Sequence, residues 1–355
     1  MAGGKGERFW PMSRIRTPKQ TLRLMSRYSL IRETVSRIKS IVPYERIYVV
    51  TNKEQLNSIR PELPNVKNII AEPIAKNTAT ACGLAAMIIK ERDPNATMIV
   101  LPSDHFIRDK KRFIDAIQTG IKVVQASNAL VAIGVKPSFP ATGYGYLKID
   151  TSGQFKIKGP ELKARVHRIK EFVEKPGLKT AVKFLKQRKY YWNSGIFIWK
   201  ASSILDAIKE HLPRLYLGLQ LVEPSIGRKN FYDSLKSIYP KFESISIDYG
   251  VLEKEKRIFA IEGKFYWDDL GSWDSLARHL KTDINGNFSL GMHKGVDTTD
   301  SVVVSEKGVI GTVGVSGIIV VRHGDCVLVC SRERAQDVKS LVSVMRGDER
   351  LKKWL

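Results

Sequence analysis

The chain has 355 residues and carries 59 Lys and Arg against 36 Asp and Glu, a formal net charge of +23. This length exceeds what one small core serves and points to two domains, while a hydrophobic content of 43% is ordinary for a globular protein. No apolar run reaches the roughly 18 residues that span a bilayer. Met1 is followed by glycines and charges rather than an apolar leader, and three cysteines with no C-x-x-C pair read as reduced thiols in a cytoplasmic protein.

In chain order, the first feature is a loop over 3–19 that opens Gly3-Gly4-Lys5-Gly6-Glu7-Arg8 and closes at Pro18-Lys19. Its glycines allow a tight turn that presents N–H groups to an anion. Lys5, Arg8 and Lys19 add positive charge, and the proline at 11 stiffens the loop. The spacing is neither a Walker P-loop nor the dinucleotide G-x-G-x-x-G. Residues 1–46 hold eleven basic side chains and three acidic ones, so the charge excess coincides with this loop. A β-branched strand follows at 47–51, then a polar helix near 53–60, a small-residue helix over 77–90, a strand at 97–101, a helix over 110–125 and strands at 129–135 and 165–173. Strands alternating with helices predict an α/β domain with a parallel sheet, whose ligand sits beyond the C-terminal strand ends. After a break at 285–287, short glycine-punctuated β segments run over 301–330 and a final helix over 332–346. The predicted domains are 1–280 and 285–355. The apolar strands of the second domain need cover from the first or from a second subunit.

Chemistry-bearing residues cluster at the predicted strand ends. Asp104, in Leu101-Pro-Ser-Asp-His105, follows the 97–101 strand, and Asp268 and Asp269 lie between two tryptophans in Trp267-Asp-Asp-Leu-Gly-Ser-Trp273. Two carboxylates with phosphate oxygens suit Mg²⁺, and spacing leaves Asp268 and Asp269 as competitors. His105 reads as a packed residue. In Glu72-Pro-Ile-Ala-Lys-Asn-Thr-Ala-Thr-Ala81, Asn77 is placed as a helix N-cap, beside small residues that admit a flat base. Tyr144 and Gly145 sit in Thr142-Gly-Tyr-Gly-Tyr146, where tyrosine rings suit sugars. Glu174 and Lys175 end a strand just before Pro176.

The order of these residues resembles the sugar-1-phosphate nucleotidyltransferases, and Gly-Glu-Arg-Phe-Trp-Pro looks most like the mannose-1-phosphate guanylyltransferases. Matching segments span residues 2–273, and include Phe172-Val-Glu-Lys-Pro176, Trp192-Asn-Ser-Gly195 and Ser246-Ile-Asp-Tyr249. The resemblance implies a Rossmann-like domain with a mixed, mostly parallel sheet and a short β-helix-like C-terminal domain. It also implies an apolar strand ahead of Ala2, which this sequence does not contain. It implies nucleotide binding by Ala2, Gly3, Gly4, Lys5, Gly6, Glu7, Arg8, Lys19, Glu72, Asn77, Thr78 and Asp104. Sugar-phosphate binding falls to Tyr144, Gly145, Glu174, Lys175, Asn193 and Asp248, and a Mg²⁺ cofactor to Asp104 and Asp269. Arg8, Lys19, Asp104, Lys175 and Asp269 form the implied catalytic set.

The implied reaction is attack by the phosphate of mannose 1-phosphate on the α-phosphorus of GTP, releasing pyrophosphate, in a homodimeric enzyme. Bringing two anions together makes positioning and charge neutralisation the main tasks. Alternatives are another base or hexose, a non-catalytic homologue, and, from the charge alone, nucleic-acid binding, for which no recognition motif is present.

Overall fold

The computed structural model describes residues 1–152 and 162–355. Up to α4 the chain runs α1 (Leu30–Ile38), β1 (Tyr48–Asn52), α2 (Leu56–Ile59), β2 (Asn68–Glu72), α3 (Asn77–Arg92), β3 (Thr97–Val100), β4 (Phe106–Arg108) and α4 (Lys110–Ser127). It continues through β5 (Leu130–Val135), β6 (Tyr146–Ile149), β7 (Val166–Val173), α5 (Leu178–Gln187), β8 (Tyr190–Lys200), α6 (Ala201–His211), α7 (Pro213–Val222), α8 (Phe231–Ile238), β9 (Ile258–Gly263), β10 (Tyr266–Asp268) and α9 (Trp273–Ala277). The β-branched runs at 47–51, 97–101 and 129–135 each become a strand, as their composition predicts.

Six strands form one mixed sheet in the order β3-β8-β5-β9-β7-β6. Strands β3, β5, β6 and β9 run one way, and β7 and β8 the other. The expected majority direction is present, but hydrogen-bonded neighbours are mostly antiparallel. The reason is β8, which inserts between β3 and β5 and pairs antiparallel with both. The pair β1–β2 is parallel and separate. Residues 1–2 lie between it and the large sheet: Ala2 N donates to Val50 O (2.7 Å) and the Met1 amine to Leu101 O (2.8 Å).

Alternation along the central strands builds two apolar layers. Leu130 and Ala132 of β5 face one side with Phe197 and Trp199 of β8, where α3, α6 and α7 cover them. Val131, Ile133 and Val135 face the other side with Ile196 and Ile198, under α4.

The C-terminal part comprises β11 (Phe288–Thr299), β12 (Val302–Ser316), β13 (Ile318–His323), β14 (Cys326–Ser331) and α10 (Val338–Arg346). Strands β11, β12 and β13 stack in parallel, so Phe288, Val302 and Ile319 lie in one column. Successive turns of 14 and 17 residues explain why no hexapeptide period is visible. The inner column joins Phe9, Trp10, Leu270 and Trp273 in one shared core, the cover that the sequence predicts these strands need.

Candidate active site

The loop after Ala2 is shaped by its carbonyls. Ala2 O accepts from Gln20 Nε2 (2.8 Å) and Thr51 Oγ1 (2.9 Å), Gly3 O from Asn52 Nδ2 (3.3 Å), Gly4 O from Gln55 Nε2 (3.1 Å) and Lys5 O from Ser13 Oγ (2.9 Å). With the carbonyls turned into the protein, the N–H groups of Gly3, Gly4, Lys5 and Gly6 are left without a protein acceptor among the described residues. Such an array is an anion nest. Gly6 has φ +64°, and a Cβ there would lie 2.3 Å from Lys19 Cβ, so the position admits only glycine. Arg8 is exposed and forms no ion pair among the described residues.

Asp104 and Asp269, 165 positions apart, meet because β4 pairs antiparallel with β10, setting Phe106 opposite Asp268. Lys19 lies between them. Its Nζ donates to Asp104 Oδ2 (2.8 Å) and to the Asp269 carbonyl (2.7 Å), and sits 5.5 Å over the Phe9 ring. Burial works to raise the Asp104 carboxyl, but Lys19 outweighs it and holds the group below the ordinary range. Burial pushes Asp269 up, against the pull of Lys19. Tyr144 donates to Asp269 Oδ1 (3.1 Å), so its hydroxyl orients the carboxylate, and its ring packs on Trp192 and Trp267 rather than standing open to a sugar.

The geometry separates the two competing aspartates. Asp268 is 3% exposed, and its oxygens accept from Leu270 N (2.7 Å) and Arg278 Nη2 (3.2 Å), with His279 Nε2 at 2.9 Å, off the direction of a good hydrogen bond. Asp268 is committed to the turn. Asp269 Oδ2 and Asp104 Oδ1 have no protein donor among the described residues, and a pair of hard oxygens suits Mg²⁺. His105 accepts from Trp267 Nε1 (3.1 Å), and burial lowers its pKa to about 4, so it is neutral packing behind Asp104.

Among the residues expected on the nucleotide side, Asn77 does not cap α3. It takes φ +67° and accepts from Thr78 N (2.8 Å), because the chain enters the helix through a left-handed residue. Thr78 Oγ1 accepts from Ile247 N (2.8 Å), tying the start of α3 to the segment bearing Asp248. Glu72 lies behind the loop, bonded to Tyr239 OH and facing Gly3, and burial raises its carboxyl to about 7.

The residues expected on the sugar side form a second cluster. A Cβ on Gly145 would meet Glu174 Oε2 at 2.3 Å, Lys175 Nζ pairs with Glu174, and Asn193 Nδ2 donates to Asp248 Oδ1 (2.9 Å). Burial, then the Glu174 charge, pushes Asp248 up to about 6. Asn77, Lys175 and Leu270 all have positive φ, a strain that concentrates at working sites.

Apart from Glu72, which backs the loop from the end of β2, every candidate residue lies in the loop, the carboxylate centre, the start of α3 or this cluster. Sequence reasoning missed Gln20, Thr51, Asn52 and Gln55. For Thr51, Asn52 and Gln55 the signal is polar side chains at and just after the end of β1, and it means nothing without the loop they hold; Gln20, beside Lys19, gives none.

The family model described as nucleotidyl transferase matches residues 1–285, and a β-helix domain described as mannose-phosphate isomerase/GMP-like matches 291–345. A mannose-1-phosphate guanylyltransferase of Sinorhizobium fredii (strain NBRC 101917 / NGR234) is 33% identical over 98% of this chain and 67% of its own length. One of Escherichia coli is 34% identical over 96% of this chain and 74% of its own. A solved structure from Thermus thermophilus, described as a mannose-1-phosphate geranyltransferase, superposes with a TM-score of 0.86 at 33% identity, covering 98% of both chains. With its amide-lined loop, its convergent aspartates and these likenesses along nearly its whole length, the chain belongs to the nucleotidyl transferase family.

Proposed function

We propose that this protein transfers GMP from GTP to mannose 1-phosphate, giving GDP-mannose and pyrophosphate. The observation that carries the reading is the convergence of the amide-lined loop, Lys19, Asp104 and Asp269 at one end of the sheet, joined to relatives of that activity.

In this reading the free amides of residues 3–6, with Lys5 and Arg8, bind the β- and γ-phosphates and stabilise departing pyrophosphate. Thr78 and Asn77 border the nucleoside. Lys175 holds the attacking phosphate, while Glu174, Asn193 and Asp248 take sugar hydroxyls. The nucleophile is already an anion, so no general base is needed, and the residues act by alignment and charge neutralisation. Mg²⁺ held by Asp104 and Asp269 would offset charge at the α-phosphate. Lys19 keeps Asp104 ionised, and Tyr144 fixes the direction of Asp269, ready for such an ion.

The reading also includes a homodimer in the cytoplasm. The cross-strand pairs Met292–Val309 and Val296–Val313 form an apolar stripe, each residue 59–73% exposed, and the three cysteines are free thiols, which suits a reducing compartment. Sedimentation should give two chains per particle, and Val313→Lys should give one. A monomeric wild type removes the dimer.

The deciding assay measures pyrophosphate release over a matrix of nucleoside triphosphates and hexose 1-phosphates. GTP with mannose 1-phosphate should be the most rapid pair. Preference for UTP or dTTP with glucose 1-phosphate would reassign the enzyme, and silence across the matrix would overturn the reading.

A further inference from the structure

The phosphate loop has a second set of contacts that the proposed chemistry does not use. Its one turn of 3-10 helix, Glu7–Phe9, is gripped from behind by the C-terminal domain. Arg346 Nη2 of α10 lies 2.6 Å from Glu7 Oε1. Phe9 is 1% exposed in the core shared with Val342 and Met345, and its ring meets Trp273 at 4.9 Å, tilted by 56°. Trp10 Nε1 donates to Trp354 O (2.9 Å), and Arg14 Nη2 reaches Cys326 Sγ (3.4 Å).

The arrangement fixes an angle. At three residues per turn, neighbouring side chains point about 120° apart. Glu7 and Phe9 both face the C-terminal domain, so the exposed Arg8 between them is turned away from it. Phe9 also lies under the Lys19 ammonium, so the same turn carries Arg8 and touches Lys19, two of the implied phosphate cations. Glu7 carries the only carboxylate in residues 3–19. Left unpaired, it would repel an incoming triphosphate. Its side chain is 17% exposed, which makes the pairing with Arg346 stronger than a fully solvated one.

We propose that Arg346 is a positioning residue for the nucleotide. By pairing with Glu7 it holds the turn that aims Arg8, and it removes the one negative charge from the loop. The C-terminal domain thereby sets the affinity for the triphosphate and leaves the sugar-phosphate subsite alone. This rests on residues 3–19 being the triphosphate cradle.

The test uses the full chain and two variants, Arg346→Ala and Arg346→Lys. GTP affinity is measured by isothermal titration and, separately, KM for each substrate by pyrophosphate release. Arg346 is 42% exposed, so Arg346→Ala should melt close to wild type. It should bind GTP about tenfold more weakly, with KM for mannose 1-phosphate within about twofold. Arg346→Lys, which keeps the charge, should recover most of the loss. Unchanged GTP affinity in Arg346→Ala, equal weakening of both substrates, or a lysine variant as weak as the alanine one overturns the proposal. Titration reads the cradle without turnover. A wild type that binds GTP but releases no pyrophosphate refutes the catalytic reading alone, whereas a wild type that does not bind GTP refutes both.

Discussion

At the scale of single residues, the site depends on charges held in set protonation states. Asp104 and Asp269 are the only carboxylates at the Lys19 centre with an unpartnered oxygen among the described residues. Replacing either by Asn keeps the shape and removes a formal charge. Each variant should fold and lose about three orders of magnitude in rate; near-wild-type turnover in either would remove that residue from the catalytic set. Glu72 makes a separate prediction. Its folded pKa of about 7 lies above its ordinary 4.5. Between those values the folded chain binds more protons than the unfolded chain, so stability should fall as pH rises from about 4.5 to 7. The full effect is about 3 kcal/mol. Urea unfolding at pH 5 and pH 7.5 should show this loss in wild type and much less of it in Glu72→Gln; equal slopes would refute it. The sequence singles these residues out because their chemistry lies in residue type and local order. It misplaces what depends on backbone conformation: Asn77 looks like a helix cap, and only its left-handed φ reveals that it bends the chain into α3.

At the scale of elements, the glycine loop is rigid by construction. Gly6→Ala would force a Cβ against Lys19 and into a conformation costly for alanine, about 1–3 kcal/mol. If the loop shifts to relieve the clash, it moves Lys19, and kcat/KM should drop about a hundredfold; a variant with wild-type kinetics would show that the loop tolerates another shape. Elements that the sequence hides are those whose partners are distant or whose length is small. Strand β8 looks like a sugar-contact motif around Asn193, and near Gly195, at φ +67°, its pairing with β5 shifts register. The three-residue ribbon of β4 and β10 gives no periodic signal at all, yet it brings the two aspartates together.

At the scale of the whole molecule, the β-rich C-terminal domain and the loop of the catalytic domain share one core through Phe9, Trp10 and Trp273. Heating should therefore unfold the chain in a single calorimetric transition, and Trp273→Ala, at about 3–5 kcal/mol, should lower that one transition as a unit. Two separated transitions in wild type would show that the domains melt independently. The change in sequence texture near residue 285 predicts a division, but nothing local predicts the shared core, since contacts between residues 9 and 345 leave no local trace. The tethered carbonyls behind Gly3 and Gly4 carry a last consequence. Peptide amides recognise oxyanions and are blind to purine against pyrimidine, so as the proposed cradle this loop would serve any triphosphate equally. In the proposed reading, choice among nucleobases is made elsewhere, where the chain enters α3, and exchanging residues 72–81 for those of a uridylyl relative should redirect preference while pyrophosphate inhibits as before.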